Sequence, residues 1–137
     1  MKLNIGDNAP DIIALDQYGN ELKLCNYAGN KVILFFYPKA STPGCTVEAC
    51  NLRDNYQSFQ SKGYEILGVS ADSEKRQLNF SNKQELPYSL LADEDKSVIM
   101  AYGVWGPKKF MGKEYDGIHR TTFVIDGDGI IWYSMRR

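Results

Sequence analysis

Residues 31–54 read KVILFFYPKASTPGCTVEACNLRD. The opening KVILFFY, residues 31–37, is a continuous apolar run rich in β-branched and aromatic side chains, the pattern of a strand buried on both faces. Pro38 ends it, and PKASTPG follows as a turn-forming stretch. Beyond that stretch Ala49, Leu52, Tyr56 and Phe59 recur at helical spacing, while Glu48, Arg53 and Asp54 lie off the stripe. The segment predicts a buried strand, a loop and an amphipathic helix that runs to Gly63.

Working outward, YEILGVS at 64–70 predicts a second buried strand. SEKRQLNFSNKQ then predicts a helix with Ser73 as its N-cap. Residues 95–102 predict a further helix closed by Gly103. RTTFVID at 120–126 predicts a strand that enters the turn DGDG, residues 126–129, and returns as the strand IIWYS. That order implies a βαβ core with a right-handed crossover and an added antiparallel hairpin. The fold expected is an α/β sandwich of the thioredoxin kind, with a central mixed sheet flanked by helices. At 137 residues the chain has the length of one domain, 1–137, with no repeat, low-complexity tract or linker.

Composition narrows the function. The apolar share of 43% and charged share of 24% are globular values. Sixteen basic and seventeen acidic side chains leave a formal charge of −1, no excess with which to hold nucleic acid or an anionic membrane. The start, MKLNIGDNAP, carries no apolar leader and no later stretch reaches the length of a membrane span, so the cytoplasm is the expected location. Three cysteines, an odd number, do not make the paired framework of a disulfide scaffold. A disulfide here would be chemistry rather than a staple.

Cys45 stands where the buried strand has ended and the helix is about to begin, a place where unpaired N–H groups and the helix dipole favour an anion such as a thiolate. A cysteine taken at random is more often a small buried hydrophobe; the position of Cys45 argues against that. Cys50 lies five residues further along the same helix. In an intact helix that separation puts the two Cα atoms roughly 8–9 Å apart on different faces, too far for a disulfide. Either the first turns unwind when the sulfurs bond, or Cys50 is merely packed.

Pro38, Thr42 and Cys45 spell Pro-x-x-x-Thr-x-x-Cys, and with them the sequence resembles the peroxiredoxins. The longer stretches FYPKASTPGCTVEACNLRD and GKEYDGIHRTTFVID resemble the bacterioferritin comigratory protein, or peroxiredoxin Q, subfamily over nearly the whole chain. The resemblance implies that Thr42, Cys45 and Arg120 bind a hydroperoxide, either hydrogen peroxide or an organic one. It further implies that Cys50 is the resolving cysteine of an atypical two-cysteine enzyme. Cys45 would become a sulfenic acid, condense with Cys50 into an intrachain disulfide, and be returned to the thiol by thioredoxin or a similar dithiol. No metal, flavin or haem is needed for that cycle. The subfamily is often monomeric, with dimers known, and usually continues past the final hairpin into a C-terminal helix. This sequence stops at Arg136 and Arg137; if that helix is absent, one face of the sheet is left uncovered, which predicts lower stability, dimerisation or an exposed apolar patch near Ile130 to Tyr133.

The surrounding residues have both functional and ordinary readings. Pro38 and Pro43 stiffen the loop and shield the thiolate, although turn punctuation alone explains them. The N–H groups of Gly44 and Cys45 are donors for a bound oxyanion. Thr42 is a ligand or only a helix cap. Glu48, read as lying in the first helical turn, orients the arginine or simply suits a helix N-terminus. An arginine at a strand start, such as Arg120, is ordinarily solvated. Cys25 matches no catalytic motif and is expected to pack at the end of an early strand. His119, the only histidine, leaves no multi-histidine metal site and is expected half-exposed beside Arg120. WGPKKFMGKEYDG, residues 105–117, reads by composition as a binding loop or basic patch, and the resemblance implies that it is the loop preceding the arginine strand. DGDG lacks the further ligands of a calcium loop and is expected to be a hairpin turn. Two rivals remain: a thiol–disulfide reductase, which normally uses Cys-x-x-Cys rather than this Cys-x-x-x-x-Cys, and a non-catalytic redox switch.

Overall fold

The computed structural model describes residues 3–136. Two short strands, β1 (Ile13–Leu15) and β2 (Glu21–Lys23), form an antiparallel pair followed by a 3-10 turn, Leu24–Tyr27. Then come β3 (Lys31–Phe36), α1 (Pro43–Asp54), α2 (Tyr56–Ser61), β4 (Tyr64–Ser70), α3 (Glu74–Gln84) and β5 (Ser89–Ala92). The chain continues through α4 (Ser97–Ala101), β6 (Trp105–Phe110), β7 (Lys113–Ile118), β8 (Thr121–Ile125) and β9 (Ile131–Arg136).

Five strands make the central sheet in the order β5-β4-β3-β8-β9. β3, β4 and β5 run parallel, while β8 and β9 run antiparallel, which is the mixed sheet expected. β3 lies at its centre, and alternation along it feeds two cores. Ile33, Phe35 and Tyr37 pack with Ala49, Ile66, Phe80 and Leu90 under α1 and α3. Val32, Leu34 and Phe36 pack on the other face with Leu67, Val69, Val98, Ile99 and Phe123. Each fully buried side chain of this size contributes about 1.5–3 kcal/mol relative to its exposed form.

The strands at 31–36 and 64–70 and the helix capped by Ser73 fall where the sequence put them, and the Ser73 hydroxyl accepts from Arg76 N–H at 3.2 Å. Elsewhere the structure departs from expectation. The single helix expected to reach Gly63 is interrupted at Asn55. The Asn55 side-chain amide donates to the Asn51 carbonyl at 2.8 Å, and its backbone N–H turns instead to Leu52 O and Arg53 O. A side chain that competes for helix carbonyls in this way disrupts the ladder. The apolar stripe survives the break, since Leu52, Tyr56 and Phe59 all pack on the same core as Ala49.

Residues 105–117 are a two-stranded ribbon, β6 with β7, rather than a loop. Met111 (φ 51°) and Gly112 (φ 80°) both take the left-handed conformation, the signature of a type I′ hairpin turn. Met-Gly is not the Asn-Gly or Asp-Gly pair that announces this turn in a sequence. The helix expected over 95–102 shrinks to α4, because Asp93 accepts from the N–H groups of Val98 and Ile99 and fixes a late start. Cys25 follows β2 but is exposed rather than packed, because the 3-10 turn buries Leu24 and points its neighbour outward.

The DGDG segment is the hairpin turn expected. Asp126 Oδ1 accepts from Asp128 N–H at 2.9 Å and from Ile130 N–H at 3.0 Å, so the carboxylate closes the β8–β9 connection. On β9, Ile131 is buried while Trp132, Tyr133 and Met135 are exposed.

Candidate active site

The pairing of β8 with β3 places Thr121 opposite Phe36. The residue before β8 therefore stands beside the residue after β3, and this brings Arg120 to the loop at 38–42. Arg120 Nη2 donates to Cys45 Sγ at 3.3 Å. An arginine that would ordinarily be solvated at a strand start is here held over the sulfur.

Gly44 makes room for it: a Cβ at that position would lie 3.2 Å from Arg120 Nη2. His119, one residue earlier, is half-buried as expected, and burial holds its imidazole below the usual range, with the Arg136 and Lys108 charges adding to the effect.

α1 starts at Pro43, two residues ahead of Cys45, with proline at the first helical position, where its missing N–H costs nothing. Thr46 N–H closes the first intrahelical bond, on Thr42 O at 2.9 Å. The N–H groups of Gly44 and Cys45 precede that ladder and point along the helix axis past its N-terminus. Cys45 itself is 1% exposed, packed among Tyr37, Ala40 and Ala49. Thr42 is the N-cap residue, but its hydroxyl does not cap: it donates to Lys39 O at 2.9 Å. The simple capping role for that hydroxyl is thereby excluded in this conformation.

Glu48 is half-buried in α1, but the early start at Pro43 moves it into the second helical turn, not the first. A general preference of carboxylates for helix N-termini falls off over that distance. Pro38 is half-buried at the exit from β3, and Pro43 is exposed. The structure thus gathers Pro38, Thr42, Pro43, Gly44, Cys45 and Arg120 at one end of the sheet.

Cys50 lies on the same unbroken helix, half-buried, its thiol donating to Gln84 Oε1 at 3.5 Å. All three cysteines are free. With α1 continuous from 43 to 54, the five-residue separation keeps the Cα atoms roughly 8–9 Å apart, beyond disulfide reach.

Sequence reasoning missed the group that anchors the loop. Asp72, nearly buried just after β4, accepts from Ala40 N–H at 2.7 Å and from the Ser70 hydroxyl at 2.7 Å. Gln77 Nε2 donates to Ser70 Oγ and to Leu91 O, and Tyr37 O–H donates to Gln77 Oε1. Next to the anchored Ala40, Ser41 adopts φ 65°, a left-handed conformation that a serine holds only under constraint. The available signal was polar Ser70 and Asp72 at the carboxyl end of a buried parallel strand, where neighbouring loops converge.

The chain was compared with known proteins. Residues 5–134 match the AhpC/TSA family. Peroxiredoxin Bcp of Escherichia coli K12 is 49% identical over 129 residues, 94% of this chain and 83% of that protein. Peroxiredoxin Bcp of Bacillus subtilis is 45% identical over 137 residues, 100% of this chain and 87% of that protein. Among solved structures, a Xylella fastidiosa PrxQ cysteine mutant matches with a TM-score of 0.93 at 28% identity, covering 99% of this chain and 87% of that one. A Xanthomonas campestris Bacterioferritin Comigratory Protein, whose structure was described for its alkyl peroxide reduction activity, matches with a TM-score of 0.86 at 35% identity. That match covers 91% of this chain and 80% of the other. Family, relatives and fold agree with a cysteine set under an arginine at a helix start, and the chain belongs to the AhpC/TSA family as a thiol peroxidase of the Bcp, or peroxiredoxin Q, kind.

Proposed function

We propose that Cys45 is the nucleophile of this peroxidase and that Cys50 resolves it. The hydrogen bond from Arg120 to Cys45 Sγ carries the reading. A guanidinium 3.3 Å from the sulfur fixes its position and remains in place to stabilise charge developing on the leaving oxygen. The N–H groups of Gly44 and Cys45 add donors at the same point. The Thr42 hydroxyl, turned to Lys39 O in the resting site, rotates to a peroxide oxygen when substrate enters. Pro38 and Pro43 stiffen the loop, and Glu48 helps to orient the cation.

The Cys45 sulfur attacks the near peroxide oxygen. The S–O bond forms, the O–O bond breaks, and the far oxygen leaves with a proton as water or an alcohol. Cys45 is then a sulfenic acid. The Cys50 sulfur attacks Cys45, forming S–S and breaking S–O, and the oxygen departs as water with the Cys50 proton. A dithiol supplies two electrons by exchange and restores both thiols.

Hydrogen peroxide and organic hydroperoxides are the substrates proposed, the organic class supported by the activity attributed to the Xanthomonas relative. Thioredoxin or a similar dithiol is the reductant. An intrachain pair needs no partner's cysteine, which favours a monomer, and three unpaired cysteines suit the reducing cytoplasm.

Peroxide-dependent NADPH oxidation through thioredoxin reductase and thioredoxin tests the scheme. Cys45→Ser is expected to abolish turnover. After peroxide, the wild type should lose the mass of two hydrogens and Cys50→Ser should not. A Cys45 inert to peroxide would defeat the proposal.

A further inference from the structure

If Cys50 resolves Cys45, α1 must open once per cycle, and the bonds that close α1 then govern the second chemical step. Three tertiary hydrogen bonds converge on its second half. Arg53 Nη1 donates to Gln84 O at 2.7 Å, Cys50 Sγ donates to Gln84 Oε1 at 3.5 Å, and Tyr88 O–H donates to Ala49 O at 2.7 Å. All three acceptors or donors outside α1 come from one short segment that runs from Gln84, the last residue of α3, to Tyr88, the residue before β5.

That segment is itself held firmly. Glu85, just after Gln84, takes the left-handed conformation (φ 52°) that ends α3, and Leu86 N–H bonds Ser81 O at 2.9 Å. Tyr88 is 3% exposed and packed in the core. Burial, then the neighbouring Cys50 and Glu48, raise its phenol well above the usual range, so it stays a neutral donor. The clasp is therefore rigid on the α3–β5 side and detachable on the α1 side.

The break at Asn55 limits what must move. α2 begins afresh with Phe59 N–H on Asn55 O and is secured separately by Tyr56 O–H on Glu65 at 2.8 Å. Residues 43–54 form a unit that can unwind without disturbing α2.

We infer that Arg53, Gln84 and Tyr88 form a clasp that sets how often α1 opens, so that Arg53 and Tyr88 are positioning residues for disulfide formation. This rests on the assignment of Cys45 and Cys50 above. The clasp bonds join Arg53 to Gln84 and Tyr88 to Ala49, apart from the Arg120–Cys45 contact. The strength of the clasp divides sulfenic Cys45 between two fates: condensation with Cys50 when the helix opens, and attack by a second hydroperoxide, giving sulfinic acid and a further alcohol or water, while it stays closed. A looser clasp gives faster resolution and greater resistance to excess peroxide.

Quench-flow with acid, alkylation and mass spectrometry separates sulfenic acid formation from the loss of water that accompanies the disulfide. The variants are Arg53→Gln, Arg53→Lys and Tyr88→Phe. The disulfide step is expected to quicken about fivefold in Arg53→Gln and about tenfold in Tyr88→Phe, the range one released hydrogen bond gives. Arg53→Lys should stay near the wild type, and the reaction of Cys45 with peroxide should be unchanged in all three. Hydrogen exchange should rise over 43–54 and not over α2. Arg53 is partly exposed, so Arg53→Gln carries the test even where Tyr88→Phe folds poorly. An unchanged disulfide rate, or an equal change in both steps, would overturn the clasp. A wild type that forms sulfenic acid at Cys45 but no disulfide would instead defeat the resolving role of Cys50, and the clasp with it.

Discussion

Cys25 and Cys45 are both free thiols, and their surroundings are opposite. Cys25 sits outward on a 3-10 turn, its thiol donating to Asn26 Oδ1 at 4.0 Å. Cys45 is buried at a helix start, under a guanidinium and beside N–H groups outside the helical ladder. Exposure favours encounter with peroxide, yet the donors able to stabilise a leaving oxyanion stand beside the hidden sulfur. Preorganised donors in a dry site are worth far more than access, because the charge they stabilise develops only during the reaction.

Removing the cation is the strongest way to erase that contrast. Arg120→Met should lower the second-order rate of Cys45 with hydrogen peroxide about 100-fold or more, the usual cost of one charge-stabilising donor. Stopped-flow peroxide kinetics measure it. Arg120→Lys should recover only part of the rate, because an ammonium cannot reproduce the planar fork. A rate within about twofold of wild type in Arg120→Met would mean that the helix start alone activates the sulfur.

A milder intervention leaves the cation and loosens the loop. Asp72→Ala orphans the buried Ala40 N–H and frees the Ser70 hydroxyl. The expected loss of stability is about 1–3 kcal/mol, read from urea unfolding, because an unpaired buried donor carries its full desolvation cost. Peroxide reactivity should fall about tenfold as the loop carrying Thr42 drifts from its position, since small misplacements are costly in catalysis. Asp72→Asn, which retains an acceptor oxygen, should lie between. Full reactivity in a destabilised Asp72→Ala protein would confine Asp72 to a structural role.

How much of this was legible in the chain depends on whether a feature is local. The buried strands at 31–36 and 64–70 carry their burial in unbroken apolar runs, and Ser73 announces its helix by type and position. The Cys45 site was legible through its motif and its place between strand and helix. Arg120 was legible only through family resemblance, because its partner is 75 residues away and the β3–β8 register that unites them is not written in either segment. Asp72 was missed for the same reason. The break at Asn55 and the Met111-Gly112 hairpin turn were missed because each depends on one residue overriding a stronger pattern around it. Cys25 was misplaced because a 3-10 turn, with its tighter period, reverses which of two adjacent residues faces inward.

The smallest expected effect falls on that exposed cysteine. Among the described residues Cys25 is bonded through its thiol to Asn26 and to no charged donor, and it lies outside both cores. Cys25→Ser should therefore leave peroxidase turnover unchanged and stability within about 0.5 kcal/mol, as for surface substitutions that touch no buried network. With one equivalent of peroxide, peptide mass spectrometry of the wild type should find oxidation at Cys45 and Cys50 and a reduced Cys25, even though the reagent reaches Cys25 more freely. Oxidation of Cys25 ahead of Cys45 would reverse the lesson of the comparison: access, not preorganisation, would then decide which sulfur of this chain reacts.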